Sequence, residues 1–318
     1  MSGRFPARQD GVLYLTEGGS ETEIMYKFGH KLPHFAMFPL LDDPAAVADL
    51  RGMYERYLEV AARHGFAAMM GGLDYRASPD WAERLGYSRA GLAEMQHRAI
   101  DFLREVSAPY RERLPAILVL GVVGPRGDAY GTGGDITAAE AEDYHGVQLE
   151  TLEAAGVDGV WAATFNSVPE AIGLSRAAAD IGLPLNLSFT LDSRCRLASG
   201  PSLREAIEAV DAETGASAPD SYGLNCSHPL EFAPALEPGD WIQRLRSLRP
   251  NAARMDKIAL CKLGHLEEGD PPELGRLMGD LARRYPHIDI WGGCCGSWET
   301  HLEEIARNVH QARSGIVP

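Results

Sequence analysis

Ala116-Ile117-Leu118-Val119-Leu120-Gly121-Val122-Val123 is followed by a glycine-rich stretch, Gly127 to Gly134, then by Thr137-Ala138-Ala139-Glu140, and later by Gly159-Val160-Trp161-Ala162-Ala163-Thr164. The two apolar runs lack clean alternation, which is the pattern of a parallel strand covered on both faces. Thr137 and Glu140 have the spacing of a capping box, so a helix is expected between the runs. Strand, helix, strand in that order implies a parallel sheet. The unit recurs along the chain. Further runs lie at Gly11–Thr16, Phe66–Met70, Leu185–Phe189, Tyr222–Cys226, Lys257–Lys262 and Ile288–Trp291. Helix starts are marked by Asp43-Pro44, by Ser167 with Glu170, by Ser202 with Glu205, by Asp270-Pro271-Pro272, and by Ser297 or Trp298. Eight units favour closure into a single (β/α)8 TIM-type barrel over residues 1–318, rather than an open doubly wound sheet.

Bulk properties narrow the function. The 318 residues carry 30 Lys and Arg against 45 Asp and Glu, a net charge of -15. An acidic surface of this kind argues against nucleic acid or an anionic membrane as partner. Met1 to Asp10 is polar and lacks the apolar core of a signal peptide. No apolar run approaches the roughly 18 residues of a membrane span. Five cysteines without an export signal fit free or metal-bound thiols better than disulfides. A soluble cytoplasmic protein is expected.

A (β/α)8 barrel does its chemistry at the C-terminal ends of its strands. Cys226 ends the sixth run, and Gly292-Gly293-Cys294-Cys295-Gly296 follows the eighth. Glu17-Gly18-Gly19 follows the first, which neighbours the eighth around the ring. These features converge on one mouth, over which Gly127–Gly134 is placed to form a loop. Adjacent strand side chains point to opposite faces, so Cys294 and Cys295 need glycine conformations to aim at one point. With Cys226 they make a three-thiolate set that suits Zn2+ and leaves one coordination position open, as in a catalytic site. Asn225 could orient Cys226 or hold substrate. The other cysteines have plainer readings: Cys261 as a small buried hydrophobe in the seventh strand, Cys195 as an incidental loop residue among arginines. His228 could be a fourth ligand or proton carrier, but before Pro229 it reads as an ordinary loop histidine. Tyr14, Trp161 and Trp291 read as core aromatics. Gly121 to Gly127 lacks the Lys-Ser/Thr ending of a phosphate loop.

Three thiolates give zinc a negative shell, poor for ionising water but well suited to holding a substrate thiol as its thiolate. The implied reaction is attack by a bound sulfur on an electrophilic carbon, with alkyl transfer its simplest form.

Gly223-Leu224-Asn225-Cys226, with Gly292-Gly293-Cys294-Cys295-Gly296-Ser297, resembles the zinc signature of the homocysteine S-methyltransferase family. The likeness extends over most of the chain. Thr16 to Glu23 resembles the family's opening Asp-Gly-Gly segment with its Thr-Glu pair, and Gly121 to Pro125 its third-strand Gly-Pro turn. The resemblance implies a zinc barrel that moves a methyl group from a sulfonium or quaternary ammonium donor to a thiol, classically homocysteine, giving methionine. Cys226, Cys294 and Cys295 would hold the metal and serve catalysis. Glu17 and the Gly18 and Gly19 backbone would bind the polar end of the acceptor, with Asn225 beside them. The family's Glu-Thr after the fourth strand is Ala163-Thr164 here, which removes a contact to the amino-acid end of homocysteine. Asp74, after the second strand, is a candidate substitute. The chain also lacks the C-terminal extension of the betaine-using branch, so a monomer or loose homodimer is expected. Methyl transfer to a different thiol and a non-catalytic zinc- or thiol-binding barrel are the alternatives.

Overall fold

The structure is a computed structural model that describes residues 5, 8–131, 136–255, 259–260 and 263–314. Eight parallel strands close in sequence order: β1 (Tyr14–Thr16), β2 (Ala67–Met70), β3 (Ile117–Val123), β4 (Gly159–Phe165), β5 (Leu185–Phe189), β6 (Ser221–Asn225), β7 (Leu245–Arg249) and β8 (Ile290–Trp291). The last pairs with the first through Tyr14 beside Ile290 and Leu15 beside Trp291. This is the (β/α)8 barrel expected from the alternation. Among the described residues, no helix is long and apolar enough to cross a membrane.

The seventh strand differs from expectation. It is Leu245-Arg246-Ser247-Leu248-Arg249, not Lys257–Lys262. Most of the latter segment, Cys261 included, lies outside the described residues; Ala259 and Leu260 are helical. Two arginines and a serine hid the strand, because charges are seldom buried unless paired. Both arginines here are paired. Arg246 meets Asp289 at 2.9 Å through Nε, and Arg249 meets Glu17 at 2.8 Å.

Alternate strand residues divide between two cores. Tyr14, Met69, Leu120, Val122, Trp161 and Ile290 fill the barrel interior, and Phe5 joins them. Leu15, Ala68, Val119, Val123, Val160 and Leu224 face the helices. The helix starts follow the sequence at most positions. Thr137 with Glu140 and Ser202 with Glu205 form complete capping boxes, and Asp43 and Asp270 cap their helices. Ser167 makes no such cap. Glu170 is instead drawn to the amide of Arg126 at 2.7 Å and to His145 Nε2 at 3.0 Å.

Two outer helix pairs pack through mid-helix glycines. A Cβ on Gly173, in the helix Val168–Ile181, would lie 2.6 Å from Ala141 Cβ and 2.6 Å from the Glu142 nitrogen. One on Gly275 would meet the Glu304 carbonyl oxygen at 2.6 Å. Alanine is the better helix former by about 1 kcal/mol. Overpacking against backbone costs about 1–3 kcal/mol, and backbone cannot swing aside. The clash should win: Gly173→Ala is expected to lower the midpoint of urea unfolding, and a raised midpoint would show that the helices yield.

Candidate metal centre

The mouth is assembled by backbone contacts between loops. After β8, the Gly292 amide donates to Leu248 O at 3.3 Å, Gly293 to Glu17 O at 3.2 Å and Cys294 to Pro250 O at 2.7 Å. Gly19 N donates to Ser297 O at 2.8 Å, and Gly296 N to Thr22 Oγ1 at 3.1 Å. The β8 loop is thereby tied to the loops after β1 and β7.

Glycine serves this close approach more than it serves unusual torsions. Gly292 and Gly293 do not have positive φ; side chains there would drive into Thr16 Oγ1 and Ser297 Oγ. Only Gly296, at φ +81°, uses the left-handed region within the motif. On the β6 side, Cys226 itself takes φ +55°, a conformation that costs a non-glycine residue of order 1–3 kcal/mol. Gly18 and Gly19 line the mouth cavity, but their backbone is pressed against the partner loop. A Cβ on Gly18 would lie 2.7 Å from Ser297 O, and one on Gly19 would collide with Cys294 O.

The result is a convergent set of sulfurs. The Sγ atoms of Cys226, Cys294 and Cys295 all lie within 4.8 Å of one another, and Cys226 is 4.0 Å from Cys295. A tetrahedral zinc with Zn–S near 2.3 Å places its sulfurs about 3.8 Å apart, so the set fits that ion. Asn225 supports it: Oδ1 accepts from the Thr164 amide at 2.9 Å, which leaves Nδ2 facing Cys226 Sγ at 3.5 Å and Cys294 Sγ at 3.8 Å. Contrary to the expectation of free thiols, Cys226 and Cys294 are joined as a disulfide, with their Cα atoms 5.5 Å apart. The fold itself brings these two loops within bonding reach, so reduction is the condition for all three sulfurs to act as ligands.

Around the sulfurs is a cavity of about 60 Å³. A second, of about 290 Å³, adjoins it and shares Phe35, Tyr75, Tyr130 and Cys295. Asn166 Nδ2 donates to the carbonyls of Asp128, Ala129 and Gly131, holding the described part of the glycine-rich loop over this end. A larger groove of about 670 Å³ near Asp211 and Arg244 lies at the opposite end of the strands and contains no thiol.

The charged residues are distributed differently from the sequence expectation. Glu17 lines the cavity, but its carboxylate is bound by Arg249 and accepts from the Gly71 amide at 3.3 Å. Glu17 and Arg249 are 2% and 4% exposed, a buried ion pair. The Arg249 guanidinium lies 3.5 Å from the centre of the Trp161 ring, which makes Trp161 a wall of the mouth as well as core. Asp74, the candidate substitute contact, is not among the residues that line this cavity. It is wholly buried, and both carboxylate oxygens accept from the Val122 amide at 3.0–3.1 Å. Burial pushes its pKa up to about 7, with Glu17 and Glu21 adding repulsion. His228 is a structural residue: Nδ1 accepts from Leu230 N at 3.3 Å, and burial lowers its pKa. Cys195 Sγ donates to Glu231 O at 3.0 Å, and burial raises rather than lowers its pKa.

Two charged cavity residues escaped the sequence reading. Arg249 was missed with its strand. Glu21 was visible as an additional acid between Glu17 and the Thr22-Glu23 pair, but had no assigned role.

A family model for homocysteine S-methyltransferases matches residues 14–309, and the chain belongs to that family of enzymes. The three-cysteine cluster is like the zinc site of the family. Among solved structures it resembles homocysteine methyltransferase MmuM from Escherichia coli. The metallated form is 21% identical with a TM-score of 0.70, covering 94% of this chain and 96% of that one. The oxidised form gives 21%, 0.72, 94% and 96%; the apo form gives 20%, 0.65, 95% and 97%. At such identity the likeness concerns the fold. A search of curated protein sequences returns no match.

Breaking one side of the Glu17–Arg249 pair leaves a buried charge, which costs about 3–5 kcal/mol. Arg249→Met is therefore expected to lose about that much in urea unfolding, and Glu17→Gln/Arg249→Met to recover most of it. Additive losses would contradict the pairing. For Asp74 the folded pKa, about 7, lies above the ordinary 3.8. The native state then holds the extra proton, so stability falls as pH rises from about 4 to 7. Asp74→Asn should flatten this part of the pH–stability curve; an unchanged slope would place its cause elsewhere.

Proposed function

We propose that the protein is a zinc-dependent S-methyltransferase that moves a methyl group from a sulfonium or quaternary ammonium donor to a thiol acceptor. Homocysteine, yielding methionine, is the acceptor that family membership suggests first. The observation that carries the proposal is the convergence of three sulfurs at a barrel mouth with an amide donor beside them. Cys226, Cys294 and Cys295 would hold Zn2+, which when bound keeps a substrate thiol as its thiolate near neutral pH.

The chain's own residues contribute orientation and charge. Asn225 Nδ2 offers N–H donors to two sulfurs, offsetting part of the negative charge that three thiolates concentrate at one point. The adjoining cavity reaches Cys295 and is walled by Tyr26, Phe35, Tyr75 and Tyr130. Aromatic faces attract cations, so Tyr26, Phe35 and Tyr130 suit a positively charged methyl donor approaching the sulfurs, whereas the Tyr75 ring already carries the Arg76 guanidinium. Closure of the mouth by Tyr130 and the loop held by Asn166 would limit competition from water.

The test is a methyl-transfer assay on reduced, zinc-loaded protein, read by mass spectrometry. Homocysteine and other thiols would be paired with S-methylmethionine, S-adenosylmethionine and betaine. A methylated thiol is expected; zinc binding without product from any pair would overturn the reaction and leave a binding role. Cys226→Ser, Cys294→Ser and Cys295→Ser should each lose both zinc and turnover. Asn225→Ala should weaken zinc by about 10- to 100-fold, the usual scale for partners of metal ligands. Wild-type zinc in all three serine variants would overturn the metal assignment.

A further inference from the structure

Three charged side chains line the cavity at the sulfurs: Glu17, Arg249 and Glu21. Glu17 and Arg249 spend their charges on each other at 2.8 Å. Arg249 is further committed through Nε to Gly293 O and through Nη2 to the Glu17 carbonyl, both at 3.3 Å. Glu21 has no such partner. Its carboxylate receives the Ser20 hydroxyl at 3.3 Å and its own backbone amide. No ion pair joins it to a cation among the described residues. Part of its surface remains open, and that surface belongs to the cavity. Tyr75, on the same wall, lies within the electrostatic reach of both Glu21 and Cys295, so the acid and the sulfurs share one chamber.

An enclosed carboxylate that no ion pair engages is costly, and the Arg249 charge nearby offsets this only in part. Burial, together with the nearby Glu17 charge, pushes the Glu21 pKa up to about 6. A ligand that brings an ammonium group into the chamber would supply the missing partner and gain a charge-assisted hydrogen bond. A thiol without an amino group would leave Glu21 as it is.

Resting on the methyl-transfer reading, we infer that Glu21 is the specificity residue of the acceptor site: its carboxylate receives the ammonium group of an aminothiol whose sulfur lies at the three cysteines. Glu17, neutralised by Arg249, holds the mouth together and does not read the acceptor. The assignment also accounts for Ala163 at the end of β4, where no acid is needed once Glu21 supplies one from the β1 side.

The experiment compares homocysteine with 4-mercaptobutanoate, which has the same thiol and carboxylate but no amine. Wild type, Glu21→Gln and Glu21→Asp would be used as reduced, zinc-loaded proteins, each checked for equal zinc content. Glu21→Gln is expected to raise KM for homocysteine by about 10- to 100-fold, the range of a charged hydrogen bond, with kcat changed far less. Its KM for 4-mercaptobutanoate should change by less than about 3-fold on the same scale. Glu21→Asp should fall between wild type and Glu21→Gln with homocysteine. Equal losses for both thiols, or none for either, would overturn the assignment. Equilibrium binding of the two thiols by calorimetry separates this inference from the reaction itself. If wild type methylates neither thiol, the methyl-transfer reading fails. Selective weakening of homocysteine binding by Glu21→Gln would then still support the assignment, and unselective weakening would end it.

Discussion

Everything at the mouth depends on how closely the loops after β1 and β8 can approach. Gly293 donates to Glu17 O, Gly19 donates to Ser297 O, and Cys294 donates to Pro250 O, so three strand ends are stitched by main-chain hydrogen bonds. A side chain on Gly18 or Gly19 would strike the β8 loop, one on Gly292 would strike Thr16 at the end of β1, and one on Gly293 would strike Ser297 within its own loop. The cysteines can converge only because these positions carry no Cβ. The same contacts set the position of Glu17, and with it the buried pair to Arg249 and the wall made by Trp161.

The electrostatics follow from that frame. Once reduced, a mouth that gathers three cysteines, Glu17, Glu21 and the nearby buried Asp74 concentrates groups that become negative on ionisation. Arg249 neutralises one of them, and Asn225 turns its amide toward two sulfurs. Asp74 accepts from the Val122 amide, and burial, with repulsion from Glu17 and Glu21, raises its pKa. Metal binding and a cationic ligand group would each relieve the same imbalance. Chemistry and charge balance therefore point to one kind of occupant.

Much of this was legible in the sequence, and the exceptions have identifiable causes. Seven strands were visible as apolar runs because they are buried on both faces. The seventh, Leu245–Arg249, was not, because its arginines are neutralised by Asp289 and Glu17, partners distant in sequence. The capping boxes at Thr137 and Ser202 formed as spaced, whereas Glu170 was claimed by His145 and the Arg126 amide, a tertiary contact that no local pattern records. The convergence of Cys226 with Cys294 and Cys295 followed from topology, since strand order places those ends on one rim. Position after a strand does not say where a side chain turns, and Asp74 turns to the Val122 amide. Glu21 was in plain view, but that it lines the cavity without an ion pair, Arg249 being taken by Glu17, only the packed structure reveals.

The central claim is that the three sulfurs act together as a zinc site that takes up a substrate thiol. X-ray absorption at the zinc edge of the reduced, zinc-loaded protein tests it most directly. Three sulfur neighbours at about 2.3 Å are expected, becoming four when homocysteine is added. A shell dominated by nitrogen and oxygen, or three sulfurs that no thiol increases, would contradict the account.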